Sequence, residues 1–229
     1  MSSTASIAGL NVWLTHPATE PATLVVLLHG FGAPGNDLVA MAHEIDVASP
    51  TRYAMPEAPL ELGGLYGDSR AWWMLDMEAL ERDMAAGHPR DRRSEVPDGL
   101  SNARRNVIAL LDALVAQYQP KKLVLGGFSQ GAMLALDVAL YRDKRPDALV
   151  LMSGTLINAT AWQKRMNKLK GCPIVMSHGR RDQLLPFAVA EELSDLLSDA
   201  GADVTWVPFS GGHEIPAAAI NAIADIVAD

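Results

Sequence analysis

The residues best suited to chemistry lie in the segment Gly127-Phe128-Ser129-Gln130-Gly131. This is G-x-S-x-G, set between an apolar run, Leu123–Leu125, and a helical pattern, Ala132–Tyr141. The pattern suits a sharp turn that holds a serine in a strained conformation at a strand end. Glycine before and after the serine leaves room for it. Such a turn presents Ser129 Oγ outward and aims the next backbone N–H at a bound substrate. The five residues alone are a weak signal, because a glycine-rich packing turn has the same form. The strand–turn–helix context strengthens them.

A serine hydroxyl is a poor nucleophile without a base. In sites of this kind the chain order is serine, then acid, then histidine. Two histidines follow Ser129. His178 lies in Ser177-His178-Gly179-Arg180-Arg181-Asp182, directly off a strand-like run, and His213 lies in Gly211-Gly212-His213-Glu214. Asp182 is the first carboxylate after the first of these strands, and His213 follows the next. Ser129, Asp182 and His213 would then sit at the ends of three strands as nucleophile, orienting acid and base. The plainer readings are a loop cap or an Arg180 or Arg181 salt bridge for Asp182, a surface loop for His213, and a loop brace for His178. The oxyanion that forms needs two backbone donors. Gln130 N–H is one. The other is assigned to Phe31 N–H in His29-Gly30-Phe31-Gly32, where two glycines free the backbone. His29 precedes the serine and reads as a loop brace.

The elements that would carry these residues alternate. Strand-like segments are Thr23–Leu28, Tyr53–Met55, Leu123–Phe128, Ala148–Met152, Ile174–Ser177 and Val204–Phe209. Several are continuous apolar runs, as expected of parallel strands covered on both faces. Val107, Leu110, Leu111, Leu114, Val115 and Tyr118 mark one face of a helix of roughly 17 residues. Leu38, Met41 and Ile45 mark another after Gly35-Asn36-Asp37, read as a cap. Ala190, Leu193, Leu196 and Leu197 precede a stop at Gly201, and Ile220, Ile223 and Val227 define a last helix from near Pro216. Strands alternating with helices predict an α/β fold with a mostly parallel sheet, whose sites lie at the carboxyl ends of the strands.

Residues 56–100 break the alternation, with Pro, Gly, Trp and charge and a short helical piece at Glu78–Ala86. A long irregular insertion in a compact domain is usually functional or disordered, and its aromatics favour order. Trp72-Trp73-Met74 could wall an acyl or aryl pocket, and aromatics in a long loop are as often satellite core. The run Arg90–Arg93 and the cluster Lys164, Arg165, Lys168 and Lys170 could meet an anionic head group, but a solvated face is the plainer reading.

The 229 residues are 49% hydrophobic, too apolar for disorder. The balance of 19 basic and 27 acidic residues, net −8, argues against nucleic-acid binding and for solubility. The single cysteine, Cys172, excludes an intrachain disulfide and a cysteine-based zinc site. No nucleotide motif and no dense metal-ligand cluster occurs, so no cofactor is expected. The N-terminus lacks a signal-peptide pattern, and the longest aliphatic run, Leu24–Leu28, is far below the roughly 18 residues of a spanning helix. A cytoplasmic protein without stable membrane insertion is expected.

The set HGFG (29–32), PEAP (56–59), RAWW (70–73), GFSQG (127–131), HGRRDQLLP (178–186) and GGHEIP (211–216) resembles the phospholipase/carboxylesterase family of α/β-hydrolases. The resemblance runs from about residue 22 to the C-terminus. It implies a single α/β-hydrolase domain over 1–229, with a mostly parallel central sheet, helices on both faces and a lid-like insertion around 56–100. It supports Ser129, Asp182 and His213 as the triad and Phe31 and Gln130 as oxyanion donors. It also implies that Leu184 and Leu185 border an acyl pocket, beside Trp72 and Trp73. The pattern departs where Ala33 and Pro34 follow HGFG and where the segment after RAWW is longer. Both point to a bacterial-type esterase subgroup rather than to palmitoyl-protein hydrolysis.

The reading is a serine carboxylesterase acting on a small-molecule ester through an acyl-enzyme. Thioesterase, lysophospholipase or acyltransferase activity is the alternative within enzymes. A non-catalytic binding protein on the same fold is the remoter one. The insertion is compatible with a lid or with a face for a second copy of the chain. A fluorophosphonate probe should label the wild type stoichiometrically and Ser129→Ala not at all. Equal labelling of the two would place the nucleophile elsewhere.

Overall fold

The computed structural model describes residues 2–15, 20–45, 50–63, 67–76, 78, 79, 82 and 91–228. The chain runs through β1 (Ser2–Ile7), β2 (Leu10–Thr15), β3 (Thr23–Leu28), α1 (Val39–Glu44) and β4 (Thr51–Pro56). The short strands β5 (Leu60–Glu61) and β6 (Arg70–Ala71) follow, then α2 (Leu100–Tyr118), β7 (Lys122–Phe128), α3 (Gln130–Tyr141) and β8 (Ala148–Met152). After α4 (Ala159–Gln163) and a 3-10 turn at Met166–Leu169 come β9 (Pro173–Gly179), α5 (Phe187–Asp199), β10 (Asp203–Phe209) and α6 (Ala217–Ala228).

Eight strands form one sheet in the order β1-β2-β4-β3-β7-β8-β9-β10. β2 runs antiparallel to β1 and β4; every other pairing is parallel. The central strands are apolar throughout because alternate side chains enter different cores. Leu24, Val26 and Leu28 of β3 join one core with Leu125, Leu151 and Met176, beneath α2, α3 and α5. Val25 and Leu27 join the other with Val124, Val150 and Val175, beneath α1 and α6. Helix α3 is buried along nearly its whole length. Its one carboxylate, Asp137, receives Trp162 Nε1–H at 2.8 Å and Arg104 Nη1–H at 3.0 Å, so α2 and α4 are tied to it.

The strands read from the sequence all occur. β1 and β2 are additions, and both precede the first apolar run. β1 is mostly exposed and polar, and β2 alternates over only six residues, with Leu10, Val12 and Leu14 inward. Gly35-Asn36-Asp37 is not a side-chain cap: α1 begins after Leu38 with no side-chain cap bond, and Val39 N–H meets Asn36 O at 3.1 Å. Gly201 does stop α5. Its φ of +87° lets Ala202 N–H return to Leu197 O at 3.0 Å. Most of the helical piece at Glu78–Ala86, like Arg90, lies outside the described residues. Within the insertion, β5 and β6 pair as a small ribbon. Among the described residues no helix is long and apolar enough to cross a membrane.

The tightest backbone approach is at the end of β7. A Cβ on Gly131 would overlap the carbonyl groups of Leu28 and His29. Gly131→Ala should therefore lower stability by roughly 3 kcal/mol, the upper range for overpacking. A urea midpoint unchanged from the wild type would contradict this packing.

Candidate active site

Ser129 follows β7 immediately and has φ +54° and ψ −116°, a region that L residues avoid. The strand holds it there: Ser129 N–H bonds Met152 O at 2.8 Å, and its own carbonyl receives Ala132 N–H at 3.0 Å as α3 begins. Asp182 lies just past β9 and His213 just past β10. Gly179 permits the approach of their two loops, since a Cβ there would overlap the carbonyls of Gly211 and Gly212. Arg180 N–H and Arg181 N–H then bond Phe209 O (2.8 Å) and Gly211 O (3.0 Å).

His213 Nδ1–H donates to Asp182 Oδ2 at 2.7 Å. Asp182 Oδ1 accepts Leu184 N–H (2.8 Å) and Leu185 N–H (3.0 Å). Burial pushes the Asp182 carboxyl up, but the His213 bond and the two backbone donors outweigh it and hold it below the ordinary carboxylate range. Neither Arg180 nor Arg181 bridges it: Arg181 Nε–H bonds Ser210 O at 2.6 Å, and Arg180 lies over the Phe187 ring. The His213 ring packs on Phe128 with centroids 4.8 Å apart, and Ser153 Oγ–H fixes the loop through Glu214 O at 3.1 Å. His178 is fully buried under the acid. Its Nε2–H donates to Leu185 O at 3.1 Å and lies 3.3 Å from Asp182 Oδ2, the place of a brace.

Ser129 and His213 open on one cavity of about 370 Å³, within the range of small-ligand pockets. Phe31, Gln130, Trp73, Leu184 and Leu185 also line it. Gln130 occupies the first position of α3, where backbone N–H groups lack intrahelical acceptors. Trp72 is a correction to the expected pocket wall. It is absent from the lining and fully buried, because its indole N–H bonds His29 O at 3.0 Å and draws the ring into the core.

The side chain of Gln130 has a role its motif did not disclose. Its Oε1 accepts Trp72 N–H and its Nε2–H donates to Trp73 O, both at 2.9 Å, so it clamps the insertion to the serine turn. Gly32 N–H to Arg70 O (2.9 Å) and Arg70 N–H to Ala33 O (3.0 Å) join the same segment to the loop carrying Phe31. His29 completes the bracing. Its Nδ1–H donates to Gly30 O at 2.7 Å, and its Nε2 accepts Ala58 N–H at 2.9 Å. Met74, Arg92, Glu95, Met133 and Ile157 also line the cavity. Met74 lies where the sequence allowed a pocket wall, whereas Arg92 corrects the solvated-face reading of its basic run, its side chain being held at the cavity by Glu95; nothing in the sequence singled out Glu95, Met133 or Ile157. Cys172 is buried elsewhere, and burial pushes its thiol up to about 11.

The sequence profile of the phospholipase/carboxylesterase family matches residues 11–228. The chain belongs to that family. It is accordingly a serine hydrolase on the α/β-hydrolase fold. It is 28% identical over 199 residues to the Arabidopsis thaliana protein "Probable carboxylesterase SOBER1-like", covering 84% of this chain and 73% of the relative. It is 23% identical to acyl-protein thioesterase 1 of Neurospora crassa, covering 98% and 94%. Among solved structures, esterase PE8 superposes with a TM-score of 0.77 at 28% identity, covering 93% of this chain and 95% of that one.

Burial holds His29 and His178 below the ordinary histidine range. Both are therefore neutral in the fold while the unfolded chain takes up protons near pH 6.5. Stability is fully present above that value and falls as pH drops toward the depressed folded values. The loss cannot exceed about 2 kcal/mol per histidine between pH 6.5 and 5. Urea unfolding of His29→Gln and His178→Gln at pH 7 and 5 should show a smaller loss than the wild type. An equal loss would mean that other groups carry the pH dependence.

Proposed function

We propose that this serine hydrolase cleaves carboxylic esters by way of an acyl-Ser129 intermediate. The observation that carries the proposal is the 2.7 Å bond between His213 and an ionised Asp182, opening on the cavity where Ser129 is held at φ +54°. With its Nδ1 proton committed to Asp182, His213 presents Nε2 as the base. Ser129 Oγ attacks the ester carbonyl carbon as its proton passes to Nε2. Phe31 N–H and Gln130 N–H hold the oxyanion. Collapse breaks the bond to the leaving group, which takes the proton from His213. Water then gives a proton to His213, attacks the acyl carbon and releases the carboxylic acid, and Ser129 recovers its proton. Among the described residues no hydrogen bond yet joins Ser129 Oγ to His213. Such contacts commonly tighten only with substrate bound.

Asp182 keeps the productive tautomer and stabilises the imidazolium; His178 and the N–H groups of Leu184 and Leu185 keep Asp182 in place. The whole chain is read as one hydrolase domain whose segment 56–100 supplies a pocket wall, as Trp73, Met74 and Arg92 in the lining support. The same acyl-enzyme chemistry would serve thioesters. Relatives named for carboxylesterase and for acyl-protein thioesterase activity keep both leaving groups in view.

Ser129→Ala should abolish hydrolysis of p-nitrophenyl butyrate. Asp182→Asn should lower kcat by up to about 10⁴-fold through the wrong histidine tautomer. A loss below tenfold in Asp182→Asn would place the acid elsewhere.

A further inference from the structure

Met133 lies one helical turn beyond the nucleophile. Its N–H bonds Ser129 O at 3.1 Å in the first turn of α3. Residues four apart on a helix share a face, and both of these line the catalytic cavity. Met133 is nevertheless almost wholly buried. Its side chain also lines a second, far smaller cavity of about 10 Å³. The other walls of that space belong to the core: Ala132 and Leu136 of α3, Leu151 of β8, Met176 of β9 and Leu193 of α5. Thr155 adds a buried hydroxyl that has no hydrogen-bond partner among the described residues.

Among the described residues no side chain but Met133 lines both spaces. The partition between them is thus one unbranched side chain, whereas the walls behind it are fixed by the sheet and by packed helices. Gly154, in the loop after β8, comes so close to α3 that a Cβ there would stand 3.0 Å from that of Ala132.

We infer that Met133 ends the acyl pocket and sets the longest straight, aliphatic acyl chain that the enzyme cleaves well. This rests on the ester-hydrolase reading above. The two limbs of an ester leave the carbonyl carbon in different directions. The leaving group is the limb turned to His213, from which it takes its proton, and the His213 loop is partly exposed. The acyl limb is left with the buried floor beside Ser129, where Met133 lies with Ile157 and Leu185. Such a floor suits hydrocarbon. A chain driven past Met133 would overpack the core and press hydrocarbon on the Thr155 hydroxyl, and both are costly.

The test measures kcat/KM for p-nitrophenyl esters of straight acyl chains from acetate to decanoate. The wild-type values should rise with length and then fall at a cut-off. Met133→Ala removes Cγ, Sδ and Cε and opens the small cavity to the large one. It should move the cut-off to longer chains and raise the ratio of the first ester past the wild-type cut-off to the last one before it by about tenfold. Met133→Phe should move the cut-off to shorter chains. Thr155→Val should leave the profile unchanged by itself, because Met133 keeps the chain away, and should raise the long-chain ratio further when added to Met133→Ala. Each cut-off is a ratio within one protein, so a smaller folded fraction cancels. The inference is overturned if the cut-off is the same in the wild type, Met133→Ala and Met133→Phe, or if the wild type shows none. It is equally overturned if the Met133 variants change the length preference among alkyl acetates, which vary only the alcohol, in place of that among acyl chains. Loss of acetate-ester hydrolysis in Ser129→Ala reports separately on the ester reading.

Discussion

The turn that carries Ser129 lies directly against the carbonyl of Leu28, and neither Gly127 nor Gly131 leaves room there for a Cβ. This approach is the constraint on which the site depends. β3 and β7 are neighbours in register from Thr23 to Leu28. The chain leaving β3 therefore enters His29-Gly30-Phe31 beside the serine, and Phe31 lines the same cavity as Gln130 at the start of α3. Once the two strands pair, Ser129 and the Gly30-Phe31 loop meet with no further instruction. The strain at Ser129 is tolerable because α3 and the sheet, both deeply buried, over-determine its backbone.

The remaining groups are held by satisfying buried polar atoms. Asp182 is buried and ionised because its oxygens accept from His213 and two backbone N–H groups. The acid loop bonds the histidine loop along its length. The insertion docks by the same logic, through the two-ended Gln130 amide and the indole of Trp72. One residue, Gln130, thus joins the two regions: it follows Ser129 at the start of α3, and its side chain grips the segment that walls part of the cavity.

Some of this was legible in the amino acids. Leu24–Leu28 reads as a strand covered on both faces because all five residues are apolar, and the two cores claim them alternately. Gly127-Phe128-Ser129-Gln130-Gly131 reads as a turn because few other arrangements of strand and helix demand glycine at both places. β1 was invisible because an edge strand with a polar, exposed pattern gains its order from pairing with β2 rather than from its own composition. Trp72 and Trp73 are identical in type and adjacent. Both rings are buried in the same core, and the acceptor offered by His29 O holds the Trp72 indole there, away from the cavity that Trp73 lines.

Sequence alone determined the class of fold and the order of serine, acid and histidine, because periodicity and turn chemistry are local properties. Tertiary structure decided the company those residues keep. The 2.7 Å His213–Asp182 bond joins residues 31 positions apart, the Gln130 clamp on Trp72 spans 58, and Arg92 reaches a cavity built from other strands. Such contacts depend on strand order and loop length, which no stretch of residues encodes by itself. They are where general hydrolase chemistry becomes the choice of a particular ester.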